Sequence, residues 1–172
     1  MSNEETISKE YAVQQVRQMA FSFAELYYTF VKDLRDRFGE EEAIPMVQKV
    51  LFDRAAERAM DMIRRAEEQG VERVPGSIGK MTDVPFLGWD KELGRFHCPY
   101  GEAWIHRIEA EPWFEKFANL YCDVTDTTIA EIFTAAYSHK LFKNVVNGED
   151  SCEREYFLSD DVKNGRYTYG EL

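Results

Sequence analysis

Apolar residues recur at three- and four-residue steps between residues 9 and 38: Val16, Met19, Ala20, Phe23, Leu26, Tyr27, Phe30, Val31 and Leu34. That period stacks side chains on one face of a helix, so the stretch predicts a long amphipathic helix. Gly39 is its natural stop. "EEEAIP" opens a second helix with acidic residues in the first turn, where the helix dipole favours them. Pro45 is tolerable so near the start. Ile44, Val47, Leu51, Ala55, Ala59, Met62, Ile63 and Ala66 mark its buried stripe, and Gly70 closes it. Two long helices with a short joint predict an antiparallel hairpin. The first helix also carries apolar side chains on more than one side, in "MAFSFAELYYTFV". Such a helix could serve a homo-oligomer interface as well as a core.

The pattern breaks over residues 71–92, where Pro75, Gly76, Gly79, Pro85 and Gly88 predict a structured loop or short helical turn. "GRFHCPYGEAW" reads as a short strand broken by Pro99. A third helix starts near Glu111, with Trp113, Phe114, Phe117, Leu120 and Tyr121 as its apolar side. Asp126 suits the N-cap of a further short turn, "TTIAEIF". "HKLFKNVV" and "CEREYFL" flank the turn signal "NGED" and predict a β-hairpin. Alternation puts Cys152, Arg154 and Tyr156 on one face, and Glu153, Glu155 and Phe157 on the other. The expected fold class is α+β: an N-terminal helical hairpin packed with a small antiparallel sheet and a C-terminal β-hairpin. One domain spans residues 1–172, with frayed ends at 1–8 and 160–172.

Composition narrows the function classes. Lys plus Arg is 21 and Asp plus Glu is 32, a formal charge of -11, which argues against binding a nucleic-acid backbone or an anionic membrane. Hydrophobic residues make up 44% of the chain, enough for a real core. The first residues hold no basic segment followed by an apolar run, so no signal peptide is expected, and no stretch has the length of a membrane span. Three cysteines without a CxxC pair point to reduced thiols in a cytoplasm rather than a disulfide framework.

The chemistry gathers around those cysteines. Cys98, Cys122 and Cys152 come from three separate segments, and Cys122 is followed four residues later by Asp126. Free cysteine often packs as a small hydrophobe. The alternative is a shared site, with one thiolate as nucleophile or with Cys98, Cys122 and Cys152 as ligands to a metal such as zinc. A carboxylate beside a thiol raises its pKa, so either Cys122 is inert packing or something positive sits near it: a metal, a substrate nitrogen or a distant basic side chain. Asp126 could be a base, a ligand or a helix cap. Arg154 could hold a substrate carboxylate, or form a surface pair with one of the many glutamates. His97, His106 and His139 are isolated in sequence. No Gly-rich phosphate loop, HExxH or GxSxG motif is present, so phosphoryl transfer, zincin proteolysis and α/β-hydrolase chemistry lack support.

"FHCPYGEAW", "NLYCDVTD" and "VVNGEDSCEREY" resemble, in order and spacing, segments of the L-2-amino-thiazoline-4-carboxylic acid hydrolase family. The resemblance covers residues 40–158 and rests on Cys98 with Tyr100, Tyr121 and Cys122 with Asp126, and Gly148 to Asp150 with Cys152. It implies a hydrolase that opens a C–N bond of a small cyclic amidine or amide. Cys98, Cys122, Cys152 and Asp126 would then be catalytic, and Arg154, Tyr100 and Tyr121 would bind substrate. "IFTAAYSHK" departs from the family pattern after the helix. A non-catalytic small-molecule or metal-binding module on the same scaffold is the rival expectation.

Overall fold

The computed structural model describes residues 6–89 and 98–164. Helix α1 runs Lys9–Phe38 and α2 runs Glu40–Gln69, 30 residues each, joined by Gly39 alone. The Ser8 side chain accepts a hydrogen bond from the Tyr11 N–H and caps α1. Gly39 adopts φ 82°, a conformation that costs glycine nothing and lets the chain reverse in one residue. The stripe read on α2 is the buried one: Val47, Leu51, Ala55, Ala59, Met62 and Ala66 all face inward. On α1 the buried face is instead Val13, Ala20, Ala24, Tyr28 and Val31, with Arg17 among them. Met19, Phe23, Leu26 and Phe30 stay exposed, so the second apolar side seen in the sequence is a separate surface.

Residues 71–89 form the expected irregular connection, with α3 at Pro75–Met81 and a 3-10 turn at Phe86–Trp89. Of the stretch expected to be a strand broken at Pro99, residues up to 97 lie outside the described residues, and from Pro99 onward it is a helix: α4 covers Pro99–Ala110. Proline occupies its first turn, where a missing N–H costs nothing and the fixed φ suits a helix, so the residue read as a breaker is a start signal. His97 lies outside the described residues. A 3-10 turn at Pro112–Phe114 leads into α5, Glu115–Thr134. This helix passes unbroken through Asp126, which therefore caps nothing, and Cys122 lies inside the helix rather than at its end.

The sheet has two antiparallel strands, β1 Tyr137–Lys143 and β2 Glu153–Leu158. His139 faces Tyr156 and Leu141 faces Arg154, and the register slips between Leu141 and Lys143. The "NVV" expected to extend the first strand does not; Val145–Asn147 is a 3-10 turn with Val145 and Val146 buried. Gly148 follows it at φ 83°, so the asparagine-glycine pair does turn the chain, within a longer loop. Helix α6, Ser159–Lys163, follows β2.

Two apolar clusters hold the layers together. One joins α1, the N-terminal half of α2, α4 and α5 around Trp104, Phe114 and Phe117. The other joins the C-terminal half of α2, α3 and the end of α5 around Met62 and Phe133. The buried polar links are specific. Arg17 donates to the Gly88 carbonyl at 2.8 Å and pairs with Glu102, tying α1 to the 3-10 turn and to α4. Trp104 Nε1 donates to the Ala24 carbonyl at 3.1 Å, and the Tyr27 hydroxyl to the Phe117 carbonyl at 2.9 Å. Among the described residues no helix is long and apolar enough to cross a membrane.

Candidate functional site

Between α1 and α2 lies a groove of about 630 Å³, floored by side chains of α4 and α5. Phe23, Tyr27, Phe30 and Leu34 wall it from α1, and Val47, Val50 and Leu51 from α2. The rim is apolar yet open to solvent: Leu26 is 55% exposed, Phe30 64% and Val50 65%. Tyr100, Tyr121 and Thr125 also line it. The rings of Tyr100 and Tyr121 are 6.1 Å apart, each edge-on to neighbours, and Phe23 meets Tyr100 at 5.4 Å and Tyr121 at 5.9 Å. Such tilted contacts suit aromatic quadrupoles and stiffen the wall.

The charged lining residues gather at one end, where the residues after α3 close the groove. Arg58 Nε donates to Asp83 at 2.8 Å and Arg58 Nη2 lies 3.3 Å from the Thr82 hydroxyl. Arg54 Nη2 is 3.6 Å from Asp83. Burial pushes the Asp83 carboxyl up, but the hydrogen bond and charge of Arg58, with Arg54 behind it, outweigh that and hold it below the ordinary range. Arg54, Arg58 and Asp83 went unnoticed in the sequence. One signal was there: two arginines at i and i+4 flanking the buried stripe of α2.

The three cysteines and Asp126 lie within reach of one another's charge. Cys98 is the residue before α4, Cys122 lies in α5 with Asp126 one turn later, and Cys152 precedes β2. All three are free cysteines, and each residue is half-buried. Cys152 Sγ lies 3.7 Å from Asn144 Oδ1, and Cys122 also hydrogen-bonds the Asn144 side chain. Asn144 is itself buried and fixed by Asn119 at 3.1 Å. No sequence signal singled Asn144 out, since its role depends on the turn that follows β1.

The electrostatics answer what balances the carboxylate. Arg154 Nη1 is 3.2 Å from Asp126 Oδ2, so the expected glutamate partner is instead the site aspartate, and the positive group is a side chain from β2. Burial raises the Asp126 carboxyl above its ordinary value; Arg154 and then Arg58 oppose it. Burial also drives Cys122 well above the ordinary thiol range, with Asp126, Cys98 and Cys152 adding to it. Burial lifts Cys98 to about 11, although the N–H groups of Gly101 and Tyr100 pull the other way. At neutral pH this thiol therefore stays protonated.

The described residues do not assemble a zinc site. Among the described residues no three His, Cys, Asp or Glu side chains are grouped so as to hold a metal ion, and Cys122 and Cys152 turn to Asn144. The described histidines are elsewhere: His106 is exposed, and His139 is buried beside Thr127 Oγ1, 3.4 Å from Nδ1. Neither the thiols nor Asp126 are among the residues lining the groove; Tyr100, Tyr121 and Thr125 stand between. The chain matches no known family model, no curated protein and no solved structure.

Proposed function

We propose that this chain is a small-molecule-binding protein whose ligand occupies the α1–α2 groove. A single observation carries the reading: a cavity of about 630 Å³ with apolar and aromatic walls and its charged groups confined to one end. Sites for organic ligands have this size and this division between apolar surface and a few orienting polar groups. The high thiol pKa values support binding over thiolate catalysis, because a nucleophile must be ionised to act. A reducing cytoplasm is the compartment that suits three free thiols.

The test is occupancy. An apolar fluorescent dye such as anilinonaphthalene sulfonate should bind one per chain, and Phe30→Asp should weaken it at least tenfold. Phe30 is mostly exposed, so the change leaves the core intact. Equal dye binding by both proteins would remove the groove as the site.

One observation favours a second reading, hydrolysis of a C–N bond in a small cyclic amidine. Cys98, Cys122, Cys152 and Asp126 lie within reach of each other's charge, as the resemblance to the thiazoline hydrolases requires. Asp126 would then be the base nearest Cys122. On this reading Cys122→Ala and Cys152→Ala each abolish turnover of a 2-aminothiazoline carboxylate, with circular dichroism unchanged. Absence of turnover by the wild-type chain would discard it.

A further inference from the structure

We infer that the ligand of the groove is a linear aliphatic carboxylate of about twelve carbons, its head at Arg54 and Arg58 and its chain running toward Leu34 and Val47. The inference rests on the binding role proposed above and adds the chemical class. It begins from direction. α1 and α2 reverse at Gly39, so the early part of α2 faces the late part of α1. Leu34 and Val47 therefore mark the end near the joint, and Phe23 and Arg58 the opposite end. The second end is closed by Asp83, Val84 and Pro85, and the turn beyond them packs on α1, where Arg17 holds the Gly88 carbonyl. The lining is thus polarised: apolar at the joint, charged where the loop crosses.

Length follows from the walls. From Phe23 to Leu34 is eleven helical steps, a groove of roughly 16 Å at ~1.5 Å per residue. An extended saturated chain of about twelve carbons, whose ~1.5 Å bonds zigzag, spans roughly 14 Å and so fits within that length. The rim residues Leu26, Phe30 and Val50 would lose their exposure against such a chain.

Charge selects the head group. Among the lining residues two guanidinium groups face one carboxylate, Asp83, while Glu57 pairs with Arg54 from outside the lining. Arg58 is held by Asp83 and Thr82. Arg54 is more available: its contacts are Asp83 at 3.6 Å and Glu57 at 3.4 Å, the latter an exposed i,i+3 pair of little strength. A planar guanidinium accepts a carboxylate through two parallel N–H donors. A cationic head would find no lining carboxylate that is not already paired, and an uncharged one would make no use of the Arg54 donors.

Calorimetric titration of the full chain with dodecanoate, hexanoate, dodecanol and dodecyltrimethylammonium, each below its micelle concentration, tests the inference. Dodecanoate should bind one per chain, at least a hundredfold tighter than hexanoate and at least tenfold tighter than the ammonium. Arg54→Gln should weaken dodecanoate about tenfold and leave dodecanol unchanged. Dodecanol and dodecanoate binding alike, both sensitive to Phe30→Asp, would overturn the carboxylate while the groove as a binding site survives. No binding of any of the four, with the dye also indifferent to Phe30→Asp, would overturn both. A dimer by sedimentation that Phe30→Asp separates, with no amphiphile bound, would assign the groove to a second copy of this chain and overturn the inference.

Discussion

A buried histidine gives the sharpest consequence at the scale of single residues. His139 lies in β1 with 4% of its surface exposed, its ring 5.4 Å from that of Tyr156. Burial, then Arg154 and Lys140, lower its pKa to about 4. The unfolded chain therefore binds this proton more readily, and stability rises with pH from about 4 to ~6.5. The contribution is fully present above ~6.5 and is lost as the pH falls toward the folded value. Between pH 7 and pH 5 it amounts to about 2 kcal/mol. Urea unfolding at the two pH values should show this loss for the wild type, and His139→Gln should shrink it. An unchanged difference in the variant would show that another group titrates. The thiols belong to the same scale but behave differently, because ionisation there adds charge to an already acidic cluster.

Contacts between elements turn on close approach. α4 meets the Val145–Asn147 turn through Gly101, where a Cβ would fall 2.5 Å from Val145 Cγ2. Val145 is buried and cannot swing away, so Gly101→Ala should cost roughly 1–3 kcal/mol, by the usual penalty for overpacking. Thermal unfolding would register it, and a melting temperature equal to wild type would contradict the tight contact. The same element shows what the sequence could and could not reveal. α2 was readable because its stripe keeps one period against one partner layer. α1 was readable as a helix but not as to its buried face, because Arg17 points inward while Phe23, Leu26 and Phe30 point out. α4 was misread since Pro99 carries the same letter whether it ends a strand or begins a helix, and only the packing of Gly101 and Trp104 decides. Spacing lends the convergence of the cysteines little support, and Asn144 and the partnering of Arg154 with Asp126 depend on tertiary placement that no local pattern encodes.

For the whole molecule, the arrangement is of two compartments separated by one helix. On the α1–α2 side lies an apolar groove with an arginine-bearing end; on the sheet side lie three thiols, an aspartate and the arginine that answers it. α5 serves both, and its residues alternate in allegiance: Tyr121 and Thr125 line the groove, while Cys122 and Asp126 turn to the sulfurs. The Tyr121 hydroxyl is itself raised by burial first, then by Tyr100, with Cys122 and Asp126 also contributing. The two pairs thus share one stretch of helical backbone. By thermodynamic reciprocity, whatever factor an occupant imposes on sulfur ionisation is the factor by which ionisation alters the grip on that occupant. Thiol pKa values compared with and without a guest would read that factor without labelling the guest, and equal values would show the two compartments to be independent.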